Sequence, residues 1–182
     1  VQTAGPDRFR IPAAIVEWIA EHGGLTDDRR LALEAAHGTW AMALATRATH
    51  SQDLRALVAE RDNLLLASIR AADRGDGETA GATSIGLILA LHWLGPPAAA
   101  LPIASRALSL SGLAPPIHAH LLRLRARSHH FLGHTDDANA DLHAAGQLAQ
   151  TIDEPSVAAQ VYLEQGRQHD AAGAVELALS LI

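Results

Sequence analysis

The chain contains no cysteine. Disulfides, thiol chemistry and cysteine-based zinc sites are thereby excluded, and a reducing compartment, the cytoplasm, is the expected location. Lysine is missing as well: all 14 basic residues are arginine. That removes the lysine of a phosphate-binding loop and any Schiff-base lysine from these 182 residues; codon bias in a GC-rich genome is the expected reason, rather than selection against lysine. Aromatic residues make up only 3% of the chain against 48% hydrophobic residues, so a core has to be built from alanine and leucine. Those are strong helix formers, and the residues that favour strands are few. Long apolar runs are also missing. The best, residues 85–91, falls far short of the about 20 that a membrane-spanning helix needs, so no membrane partner is expected. Positive charge is in deficit, at a formal net −6. A nucleic-acid-binding domain shows a basic surplus or stripe, so no direct nucleic-acid contact is expected either.

What is present reads as all-α. Residues 7–11, Asp-Arg-Phe-Arg-Ile, alternate polar and apolar as a short strand does. Pro12 then opens a helix with Ile15, Trp18 and Ile19 on one face, stopped by Gly23 and Gly24. Thr26 caps a second helix that runs to Thr49, with Asp27 and Asp28 at its positive end. Ser51 caps a third, which carries Leu57, Leu64 and Ile69 as far as Arg74, where Gly75, Asp76 and Gly77 break it. A fourth spans 78–94 and ends at Gly95, Pro96 and Pro97. The fifth is expected to start at Leu101 and reach Leu110, because Pro102 deeper inside would remove a helical hydrogen bond. A sixth runs from Pro115 to Leu132, a seventh from a Thr135 cap to Gln150, an eighth from an Asp153 cap to Ala172, and a ninth begins after Gly173. Loops of about three to five residues between such helices make neighbours antiparallel. Trp40, His92 and Trp93 lie within apolar helical patterns and are expected to pack between helices.

A motif, Gly-x4-Ala, recurs from Gly95 to Ala100, Gly133 to Ala138 and Gly173 to Ala178, with the glycines 38 and 40 residues apart. Ala104 and Ala107 follow Ala100 at the offsets where Leu142 and Ala145 follow Ala138, and Ile182 follows Ala178 at the first of them. Glycine permits a tight reversal, and the small residue a turn later permits close helix approach. The pattern resembles the tetratricopeptide repeat, whose basic unit is 34 residues, in the longer spacing of bacterial regulators. Large aromatics are largely absent from it: His129 and Leu142 stand where they would fall, and Arg125 stands where an apolar residue is expected. The expected fold is an all-α, antiparallel helix-hairpin array, a tetratricopeptide-like solenoid.

The run Glu60-Arg61-Asp62-Asn63-Leu64, followed by Ala67, Ile69, Ala72 and Arg74-Gly75-Asp76, is similar to the segment that opens the helical region of bacterial STAND-type signal-transduction ATPases. These include SARP-like and LuxR-like transcriptional regulators. In that family a nucleotide-binding domain and a winged-helix domain precede the repeats. Residues 7–20 resemble the end of that winged helix, with Val16-Glu17-Trp18-Ile19 in place of the family's Arg-Glu-Tyr-Ala. The resemblance covers residues 9–150. It implies that residues 1–25 end a winged-helix domain and that 26–182 form a helical repeat domain truncated at its C-terminus, both ends being cut from a longer polypeptide. The nucleotide site would lie outside these residues. They hold no Gly-x4-Gly-Lys-Ser/Thr, so no ATPase activity and no cofactor are expected here.

No catalytic constellation is legible. Gly-x-Ser-x-Gly and His-Glu-x-x-His are both absent, and Asp27-Asp28 and Asp136-Asp137 read as helix-start charges. The 11 histidines offer no pair at ligand spacing within one helix. His118 and His120 point apart, and Gly133 separates His130 from His134; no metal site is expected. One stripe stands out. In the repeat frame His120, Arg123, Arg127 and His130, spaced three, four and three residues apart, share the groove-facing side of the sixth helix. Such a stripe suits an acidic peptide or a carboxylate. The expected function is a non-enzymatic interaction or sensor module of a bacterial transcriptional regulator. It would bind a protein or peptide partner or restrain the same polypeptide's ATPase domain. The alternatives are a free-standing scaffold or peptide-binding protein and, less favoured, a helical small-molecule-binding domain. An uncovered apolar helix at the end of the array would also allow a homodimer.

Overall fold

The computed structural model describes residues 2–5, 8–10, 24, 26–152 and 155–180, with backbone alone for the strand residues, 168, 169 and 171–180. The expected helix over 12–23 and the Asp153 cap lie outside those residues. Two compact units divide at Glu34/Ala35; the sequence reading had set its boundary at 25/26.

In the first unit, strand β1 (Gln2–Gly5) pairs antiparallel with β2 (Arg8–Arg10), Thr3 opposite Phe9. Of the alternating stretch expected over 7–11, the described residues 8–10 form a strand, and its partner lies just upstream in a segment with no such alternation. Helix α1 (Asp27–His50) begins in this unit. Thr26 Oγ1 accepts from the Arg29 amide at 3.4 Å, and Asp27 and Asp28 occupy the first turn.

The second unit is entirely helical among the described residues. After α1 come α2 (Leu54–Ala59), α3 (Arg61–Asp73), α4 (Gly77–Leu94), a 3-10 turn (Pro97–Ala99), α5 (Ala100–Leu108), α6 (Pro115–Phe131), α7 (Thr135–Ala149) and α8 (Pro155–Ser180). Four boundaries differ from expectation. The third expected helix is two, because the backbone departs from helical geometry at Glu60 (φ −104°, ψ 12°), with Asp53 rather than Ser51 capping the first of them. That bend lets Leu57 and Leu64 enter one core. Pro102 falls in the first turn of α5, which starts at Ala100, where proline is tolerated far better than in a helix interior. His134 rather than Thr135 takes the cap position of α7. Helix α8 runs unbroken through Gly166 and Gly173, so no separate ninth helix starts after Gly173.

Packing follows the small-residue composition. Helix α4 is buried almost all round, from Gly77 to Ala90 with Glu78 and Leu89 as exceptions, and it packs against α2, α3, α5 and α6. Helix α6 packs in turn against α5, α7 and α8. The apolar interior forms around Leu57, Leu64 and Leu87, around Ile88, Leu121 and Leu124, and around Leu122 and Val161. The two described tryptophans contribute little to it: Trp93 is 70% exposed and Trp40 45% exposed. The expectation that both pack between helices is corrected. The buried run of α4 ends at Ala90, and Trp93 lies on the uncovered side of its last turn. His92 does pack inward, edge-on to Phe131 with centroids 5.7 Å apart.

Arg125, the polar residue at an apolar repeat position, is explained by Asp141 across the α6–α7 contact. Nε and Nη2 donate to the two carboxylate oxygens at 2.7 and 2.6 Å, and this pairing raises the guanidinium pKa. Asp141 is buried, so Asp141→Asn leaves a charge without its counter-ion. We expect that variant to lose about 1–3 kcal/mol in urea unfolding. An unchanged midpoint would mean that water already serves the guanidinium.

Candidate functional site

The N-terminal turns of α4, α6 and α8 and the C-terminal half of α1 enclose a groove of about 910 Å³ within the second unit. Its apolar wall includes Met42, Ala82, Ile85, Ile117 and Val157. Its polar groups include Arg47, His50, Gln52, Glu78, His120 and Gln160. Small residues create the space: Ala82 on α4 and Ala114, just before α6, leave room that larger side chains would fill. Thr49 also lines it, and its hydroxyl is buried with no hydrogen-bond partner among the described residues. An open, mostly apolar concavity with a few polar groups is the usual form of a ligand site.

Of the stripe predicted on α6, His120 alone lines this groove. Burial, aided by the neighbouring Arg123 cation, pulls its pKa down to about 4. Arg123 is 7% exposed and faces α8, with Nη1 3.8 Å from Glu164 Oε2. Its Nε has no partner among the described residues. Burial lowers its pKa to about 10, against the opposing pull of Glu164, so the group stays charged at neutral pH. Arg127 and His130 line a separate hollow of about 180 Å³ with Phe131, Glu164 and Arg167. There the Arg127 guanidinium lies 5.4 Å from the centre of the Phe131 ring. The stripe thus reaches two hollows and a buried ion pair, and its four residues do not meet at one point.

His92 stands behind this region. Its Nε2 is 2.8 Å from Ser128 Oγ, which itself lies 3.1 Å from the Leu124 carbonyl oxygen. The hydroxyl proton goes to that carbonyl, so the imidazole donates from Nε2 and Nδ1 remains a buried bare acceptor. Burial, then Arg127 and Arg123, lower the His92 pKa to about 4.

Sequence reasoning missed Glu164 and Arg167, which α8 brings beside α6, and the walls that α1 and α4 give the groove. Helical periodicity places residues on a face of their own helix. It carries no information about which distant helix covers that face.

Comparison with protein-family models, with curated proteins and with solved structures finds no match for this chain.

Proposed function

We propose that the helical unit is an interaction or sensor module, a tetratricopeptide-like array of the kind that bacterial transcriptional regulators carry. Its groove would take an acidic, partly apolar segment of a protein partner or of an adjoining ATPase domain. The observation that carries this reading is the 910 Å³ groove framed by α1, α4, α6 and α8. Three further facts support it. From α2 onward each helix packs against its neighbours in sequence, while α4 touches α6 and α6 touches α8, as stacked hairpins do. Gly95 and Gly133 both have positive φ, at 72° and 77°. The residues at matching offsets after them are all buried: Ala100 with Ala138, Ala104 with Leu142, Ala107 with Ala145. Arg47 offers such a segment a cation, and the neutral His120, with Gln52 and Gln160, offers hydrogen-bonding groups, against the single carboxylate of Glu78.

The test is selection of short peptides from a displayed library against the untagged chain. Recovered peptides should combine acidic with apolar residues. Arg47→Glu and Ala82→Arg should each weaken them at least about tenfold without loss of helical circular dichroism. Peptides that bind both variants as well as the parent would overturn the assignment of the groove. Peptides lost only on Arg127→Ala would move the site to the smaller hollow. A free-standing peptide-binding protein would use the same groove; control of an adjoining ATPase by peptide in the longer polypeptide separates the two readings.

A further inference from the structure

The turn between α6 and α7 assembles a group of side chains that the proposed binding role does not use. His129 lies in the last turn of α6, His134 at the cap position of α7, and Asp137 in the first turn of α7. Gly133, with φ 77°, reverses the chain between them, and the His134 amide bonds back to the His129 carbonyl at 2.9 Å. Their ligand atoms all lie within 4.8 Å of one another. The two imidazole Nδ1 atoms are 3.3 Å apart, and Asp137 Oδ2 is 3.9 Å from His129 Nδ1.

We infer that His129, His134 and Asp137 form a binding site for a divalent transition-metal ion of the zinc class. The spacing carries the argument. Two nitrogens bound tetrahedrally to zinc at about 2.0–2.1 Å lie roughly 3.3 Å apart, which is the separation found here without adjustment. The carboxylate oxygen, 3.9 Å from His129 Nδ1, has to approach it by roughly 0.6 Å to reach that separation, and the Asp137 side chain is 68% exposed and can turn. The His129 side chain is 17% exposed and so anchors the group. Two imidazoles and one carboxylate suit zinc, nickel, cobalt or copper, whereas calcium and magnesium prefer all-oxygen sets. Three protein ligands leave a further position for water or for a donor on a partner. The ion would tie the end of α6 to the start of α7.

Sequence reasoning sought ligands within one helix and read Gly133 as a barrier between histidines. The glycine turn is what joins them. The pattern to look for is a histidine at the end of one helix, a glycine turn, and His-x-x-Asp at the start of the next.

The test is titration of the untagged, metal-free chain with zinc chloride by calorimetry, repeated with cobalt chloride to read the ligand field. Binding of one equivalent is expected, with a rise in the thermal midpoint. His134→Ala and Asp137→Asn should each weaken it at least about tenfold, while His143→Ala, an exposed histidine of α7 outside the group, should not. All three substitutions are on the surface, and circular dichroism without metal checks that they fold. No saturable binding to the parent, or binding that His134→Ala leaves unchanged, would overturn the site.

Discussion

Acidification from pH 7 to about 4.5 is expected to destabilise the helical unit by up to roughly 5 kcal/mol, about half from each of two histidines. In the unfolded chain an imidazole takes its proton near pH 6.5. In the folded chain His92 and His120 stay neutral until about pH 4. Between those values the unfolded state binds more protons, so stability falls as pH falls. Above about pH 7.5 both states are neutral at these positions and stability is flat with respect to them. Burial is the main cause at both sites. The cations Arg123 and Arg127 beside His92, and Arg123 beside His120, add to it. Carboxylates also titrate toward the lower end, so the diagnostic quantity is a difference. His120→Gln, followed by urea unfolding at a series of pH values, should show a shallower acid slope by about half of the histidine contribution. Parallel slopes for parent and variant would mean that His120 is solvated in the folded chain.

The second large effect is expected at Gly77. A Cβ at this position would collide with the backbone carbonyl oxygen of Ser111 in the α5–α6 loop. Gly77 has ordinary helical geometry and needs no special φ, so the space rather than the conformation demands glycine. Gly77→Val should cost about 2–4 kcal/mol, since a backbone segment has to move to admit it. Gly75 provides the control. Its φ is 73° and nothing lies within 4 Å of an added Cβ, so Gly75→Ala should cost only about 1 kcal/mol of backbone strain. Equal losses in the two variants, measured by urea unfolding, would show that the turn, and not the close approach of α4 to the loop, is the sensitive feature.

The pair also shows what can be read from residues in order. Gly75, Asp76 and Gly77 were legible together as a helix break, and the break is there: Asp76 caps α4 by accepting from the Thr79 amide at 3.1 Å. Their separate duties were not, because Ser111 lies 34 residues on and no local pattern points to it. The same holds elsewhere. Caps and glycines marked most helix ends, since those signals are local. The bend at Glu60, which brings Leu57 and Leu64 into one core, and the continuity of α8 through Gly173 were missed. In the candidate site, the spacing of His120, Arg123, Arg127 and His130 was legible as one helical face. That Glu164 neutralises Arg123 while His120 opens into a different hollow depends on α8, whose placement is a property of the whole chain.

Helix α4 has a consequence for how the molecule comes apart. Because it is buried nearly all round and touches α2, α3, α5 and α6, removing any one neighbour exposes part of it to water. Helix α8, by contrast, rests mainly on α6 and α7 among the described residues. Opening should therefore be graded: the C-terminal helix can detach while the interior around α4 persists, whereas that interior is lost in one cooperative step. The groove spans both regimes, since its walls come from α4 at one side and α8 at the other. A ligand that bridges them would couple the loosely held end to the rigid one, and binding would be registered as a loss of motion in α8.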